Sequence, residues 1–129
     1  MPLCVWFLGQ KKHDHITPLM KKLHWLPIHQ RIKYKVACHC FHFFHGSAPS
    51  YFSDLLTVYI PSRTLRSSSD SRLLSVPKTK TVTYGKRSFS FAAPSLWNSL
   101  PYHLRHSSSL ASFKRSLKTY LFTEYYNLN

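Results

Sequence analysis

Apolar residues recur at helical spacing through most of this chain, and the runs are broken at proline, glycine and serine. In "HITPLMKKLHWLP", Leu19, Leu23 and Leu26 fall near one face, with Lys21 and Lys22 off it. Thr17 is placed to cap this first helix, and Pro18 suits a first turn, where its missing N–H costs nothing. Pro27 ends it and opens a second helix. Over residues 28–45, Ile28, Ile32, Val36, His39 or Cys40, and Phe43 return every three to four positions, and Gly46 follows as the residue after the C-cap. That spacing predicts a long amphipathic helix with those side chains inward. "APSYFSDLL" predicts a short third helix, with Tyr51 and Leu55 facing inward and Phe52 beside them.

The serine-rich stretch "TLRSSSDSR" reads as a polar loop. Leu73, Leu74, Val76, Val82 and Tyr84, set among threonines and lysines around Pro77, predict one or two short strands. "SFSFAAPSLWNSLP" predicts a turn and a short helix that carries Leu96, Trp97 and Leu100 inward and stops at Pro101. In "SSSLASFKRSLKTYLF" a serine cap precedes Leu110, Phe113, Leu117 and Leu121, spaced three, four and four apart. The expected fold is therefore mainly α, a small helical domain with a minor β hairpin, with neither internal repeat nor second domain.

A chain of 129 residues is long enough for one core. Charge changes the picture more than length does. Eighteen Lys and Arg stand against four acids, a formal charge of +14, while aromatics make up 16%, more than a disordered basic tail carries. Such a protein attracts polyanions, nucleic acid first and anionic membrane surfaces second. Three cysteines, two nearly adjacent, make no disulfide framework and point to a reducing, intracellular compartment, nucleus or cytoplasm. The opening "MPLCVWFLG" is too short to span a bilayer and lacks a basic lead-in, and no later run of eighteen apolar residues exists, so no membrane partner is expected.

The chemistry the residues permit is narrow. Asp14, Asp54, Asp70 and Glu124 are scattered, which leaves out the carboxylate clusters of two-metal nucleases and polymerases and the facing pair of a glycosidase. Three glycines make neither a phosphate loop nor a dinucleotide fingerprint, and no G-x-S-x-G elbow occurs. "ACHCFHFFHG" holds thiols and imidazoles, but on a helix Cys40 points roughly opposite Cys38, and Cys38 and Cys40 are too close for a zinc pair. A three-ligand site of Cys38, His42 and His45, completed by His24 or His29, is the form of metal site that survives, ranked below packing. No cofactor is expected. For nucleic acid the candidates are Lys21, Lys22, Arg31, Lys33 and Lys35, lying along the first two helices beside Trp25 and Tyr34. Further cations, Lys78, Lys80, Lys86 and Arg87, surround the β element, and Lys114, Arg115 and Lys118 mark the last helix. Cations suit phosphates and exposed aromatics suit bases. Against this stands the plainer assignment of Trp25 and Trp97 to the core, preferred outright for Trp97.

The ordered phrases "DHITPLMKKLHWLPIHQRIKYKV", "HGSAPSYFSDLL", "PSRTLRSS", "AAPSLWNSLPYHLR" and "SLASFKRSLKTYLF" resemble the extreme carboxy-terminal region of non-LTR (long interspersed) retrotransposon polyproteins, downstream of the reverse transcriptase. The likeness covers residues 14–122, leaving 1–13 as an unmatched extension and 123–129 as a tail, and "LHWLP" and "LWNSLP" are its most specific phrases. In that family the polymerase and endonuclease carry their own acidic blocks, none of which lies in this chain. The resemblance implies a non-catalytic segment that helps hold template RNA or target DNA, with the parent reverse transcriptase as a second partner. Cys38 and His39 stand where the family pattern has leucine, and His42 where lysine is common, which speaks for drift rather than for a built metal site. Three alternatives stay open: a polymerase-docking segment, a translated genomic remnant with no activity of its own, and a small zinc-binding module.

Overall fold

The computed structural model describes residues 15–63 and 72–127. The amino-terminal extension and most of the serine-rich loop expected at "TLRSSSDSR" lie outside the described residues. Among the described residues there are six helices: α1 Ile16–Lys22, α2 Ile28–Phe44, α3 Phe52–Leu55, α4 Phe89–Ser99, α5 Tyr102–Arg105 and α6 Leu110–Asn127. The domain is small and mainly helical. α2 packs on α4 and α6, and α5 packs on α6. At their meeting point Phe41 stacks on Phe113 at 4.5 Å between ring centroids, and Trp97 lies 5.3 Å from Phe44 and 5.8 Å from Phe113. Leu104, Leu117 and Leu121 close the core around them.

The helix ends follow local chemistry. α2 stops as its sequence predicts: Gly46 takes φ +65°, Ser47 N–H donates to the His42 carbonyl at 3.0 Å and Gly46 N–H to Phe43 at 3.2 Å, the paired bonds of a Schellman turn. α1 ends with the same pair, Trp25 N–H to Met20 (2.8 Å) and His24 N–H to Lys21 (3.2 Å), but with His24 in the left-handed position at φ +52°. A side chain there is strained by about 1 kcal/mol relative to glycine. Ring stacking of His24 on Phe122, at 5.1 Å, holds it. At its start, α1 is flanked by His15 with no side-chain cap, so Thr17 is within the first turn and does not cap as expected. α6 carries the expected serine cap, Ser112 N–H donating to Ser109 Oγ at 3.2 Å, and runs on past residue 122 because Tyr126 is buried and its hydroxyl donates to the Trp25 carbonyl at 3.1 Å.

Three expectations are corrected. The buried residues of α2 are Gln30, Ala37, Cys38, Phe41 and, as expected, Cys40, whereas Ile28 and Ile32, also expected inside, are 75% and 59% exposed. At 100° per residue the two stripes lie about 180° apart. Both are apolar in the carboxy-terminal half, and the larger aromatic one, with Phe44, took the core. On α3 only Phe52 is buried; Tyr51 and Leu55 are exposed. The hairpin around Pro77 is not formed: among the described residues a single isolated antiparallel bridge joins Val58 to Leu74, and Val82 and Tyr84 are exposed. Leu74 enters the core, and its backbone is bonded by Asn98, whose Oδ1 accepts from Leu74 N–H (2.9 Å) while Nδ2 donates to Leu74 O (2.8 Å). The segment was recruited by α4 and by residues 57–59, Ser75 N–H donating to the Thr57 carbonyl (2.7 Å) and the Leu73 carbonyl accepting from Tyr59 N–H (2.9 Å), so no partner strand of its own formed.

Candidate nucleic-acid interface

The five cations expected to form one basic face divide among three places. Lys21 and Lys22 are exposed in the last turn of α1, with Lys21 Nζ 6.0 Å from the Tyr126 ring. Arg31 and Lys35, four apart, share one side of α2, while Lys33, about 160° away, turns to α6 and pairs with Glu124 at 3.3 Å. Half-exposed at both ends, that ion pair adds little stability but draws Lys33 toward a carboxylate. Lys33 is therefore the weakest member of the set for binding phosphate.

What the fold brings together is a cavity of about 300 Å³ lined by His24, Trp25, Leu26, Arg31, Tyr34 and Lys118. The left-handed turn at His24 swings the chain outward, so Trp25 is 39% exposed, while Leu26 is driven into the core. Arg31 Nε donates to the Leu26 carbonyl at 2.8 Å, which fixes the guanidinium 5.9 Å from the centre of the Trp25 ring. Lys118 arrives from α6, where burial of Leu117 and Leu121 turns it to the surface beside α2. Two cations and two aromatics thus surround a space large enough for one nucleobase. Trp25 is not core, whereas Trp97 is completely enclosed. Lys118 was legible as a basic residue of the last helix but not as sharing a cavity with Trp25, because that lining joins the turn after α1 to α6.

The candidate zinc ligands are not gathered. Cys38 and His45 are two turns apart, about 10 Å along α2. His42 Nδ1 lies 2.8 Å from Ser47 Oγ, and His45 Nδ1 lies 2.9 Å from the Phe41 carbonyl with its ring stacked on Phe41. His24 stacks on Phe122 and His29 tilts against Tyr125, at the other end of the helix. Among the described residues no group of three or more His, Cys, Asp or Glu is placed to hold a metal ion. No helix of the described residues is long and apolar enough to cross a membrane.

Burial also sets the thiol chemistry. It pushes the Cys40 thiol up to about 12 from 9.0, and raises Cys38 too, against an opposing pull from Lys114. Three pKa units leave Cys40 with roughly a thousandth of the thiolate of an ordinary cysteine near neutral pH. Alkylation of the native chain at neutral pH, mapped by peptide mass spectrometry, should therefore leave Cys40 unmodified while the unfolded chain reacts fully; equal rates in both states would refute the enclosure. The stability consequence has a definite sign. Below pH 9 the thiol is neutral in both states; above it the unfolded chain ionises while folded Cys40 does not, so stability is lost as pH rises from about 9 to 12. Tyr34 and Tyr126, also raised by burial, act in the same direction.

No protein-family model, curated protein or solved structure matches this chain.

Proposed function

We infer that this chain is a non-catalytic carboxy-terminal segment of a non-LTR retrotransposon polyprotein that binds single-stranded RNA or DNA without sequence specificity. It acts in the nucleus or cytoplasm alongside its parent reverse transcriptase. The observation that carries the binding role is the exposed Trp25 lining one cavity with Arg31 and Lys118 in a chain of net charge +14. An unpaired base stacks on the indole or on Tyr34, and the flanking phosphates meet Arg31 and Lys118, with Lys21, Lys22 and Lys35 extending the charge along the strand. Lys33 contributes least, because Glu124 already neutralises it.

The test is fluorescence anisotropy with a labelled single-stranded oligonucleotide across a salt series. Log affinity should fall linearly with log salt. Trp25→Ala should weaken binding on the order of tenfold with the salt slope unchanged, because stacking releases no counterions. Reversing Lys21, Lys22, Arg31, Lys33 and Lys35 should weaken binding further and flatten the slope, and Lys118→Gln should lower it by about 0.7. Salt-independent binding, or an unchanged affinity in Trp25→Ala, would overturn the assignment of this pocket.

A further inference from the structure

The stripe of α2 that carries Ile28 and Ile32, left outside the core, and Val36, which packs partly against it, faces α3 across an open trough of about 510 Å³. Ile28, Ile32 and Val36 form its floor, and Phe52 and Leu55 its far wall. Ile28 and Ile32 are among the most exposed apolar side chains of the described residues, and on a stable helix in water such a continuous apolar row is paid for only if something covers it. The trough does not end at Ile28: that residue and Arg31 also line a neighbouring apolar hollow walled by Leu19 and Met20 of α1 and by Leu23 and Trp25 after it.

We propose that this trough docks an amphipathic helix of a partner protein whose apolar face is flanked by acidic residues. Three features choose that occupant. The run from Ile28 to His39 measures about 16 Å along α2, which matches three turns of a helix laid alongside. The charged side chains that line it, Arg31 and Lys35, are cations, and no acid lines it; Asp54, on α3, is not among its lining residues. Lys35 makes no ion pair among the described residues. A second copy of this chain fits poorly, since its exposed helices would bring Lys21 and Lys22, or Lys114 and Lys118, against Arg31 and Lys35. A nucleic acid finds hydrocarbon on this floor, whereas cations and aromatics together line the Trp25 cavity, with which the trough shares Arg31.

The experiment titrates the full chain with a fluorescent synthetic peptide about three helical turns long, leucines on one face and glutamates on either side of them. A lysine-flanked version and a scrambled acidic version serve as probes of charge and of pattern. Binding by the glutamate-flanked helix is expected, at least about tenfold tighter than by either of the other two. Ile32→Ser, at an exposed position where the fold does not need the side chain, should weaken it about tenfold, and Lys35→Gln several-fold, with Lys80→Gln, outside the residues that line the trough, leaving it unchanged. Ile32→Ser should also leave oligonucleotide affinity as it was. Equal binding of the scrambled acidic peptide would reduce the effect to bulk charge and overturn the docking site. So would equal binding of the lysine-flanked helix, insensitivity to Ile32→Ser, or a dimer of the chain alone that Ile32→Ser dissolves.

Discussion

Trp97→Ala is expected to destabilise the domain by about 3–5 kcal/mol, enough to unfold a protein of ordinary marginal stability at 25 °C. The side chain is completely buried, so truncation removes its contacts with Phe44 and Phe113 and opens a cavity where three helices meet. It also removes a hydrogen bond, because the indole Nε1 donates to the Arg72 carbonyl at 2.7 Å. Trp97→Phe separates the two contributions: it keeps most of the packing and deletes the donor, and should cost less than half as much. Urea unfolding followed by far-ultraviolet circular dichroism measures both. A change below about 1 kcal/mol in Trp97→Ala would mean that the aromatic centre is not what holds α2, α4 and α6 together.

The next largest effect falls on the adjacent residue. Asn98→Ala should cost about 2–3 kcal/mol, since one amide satisfies both the N–H and the carbonyl of Leu74, and its loss leaves two polar groups beside a fully buried leucine without their partner. The amide here does the work of a neighbouring strand. Asn98→Asp keeps the acceptor for Leu74 N–H but sets a carboxylate against Leu74 O, and should be no better than alanine. Hydrogen exchange at the Leu74 amide gives a sharper readout: protected in the wild type, it should exchange quickly in Asn98→Ala even under conditions where α6 remains protected. If Leu74 stayed protected, the bridge to Val58 and the bonds to residues 57–59 would suffice to hold the segment.

These two neighbours explain the "LWNSLP" phrase in physical terms. Trp97 and Asn98 bind the backbone of Arg72 and Leu74, Leu100 is buried, and Pro101 ends one helix and starts the next. The "LHWLP" phrase works in the same way at the other end: His24 makes the left-handed turn, Trp25 is turned out, Leu26 is turned in, and Pro27 stands at the start of α2. One phrase is wholly structural, whereas the other leaves an aromatic side chain at the surface beside two cations.

By itself, the sequence determined what depends on neighbours within a few turns. Apolar spacing located α2, α4 and α6, proline and glycine marked their limits, and the serine before α6 is its cap. Periodicity cannot say which of two apolar stripes wins when a helix carries both, and on α2 the choice went to the one that meets Trp97 and Phe113, residues more than fifty positions away. The tertiary structure alone decided that Leu74 would be claimed by Asn98 rather than by a hairpin partner, that Lys33 would face Glu124, and that Lys118 would come to Trp25. Each of these joins distant segments, where the free energy of packing and of satisfying buried polar groups outweighs local preference, and no local pattern in the chain encodes which distant partner will be met.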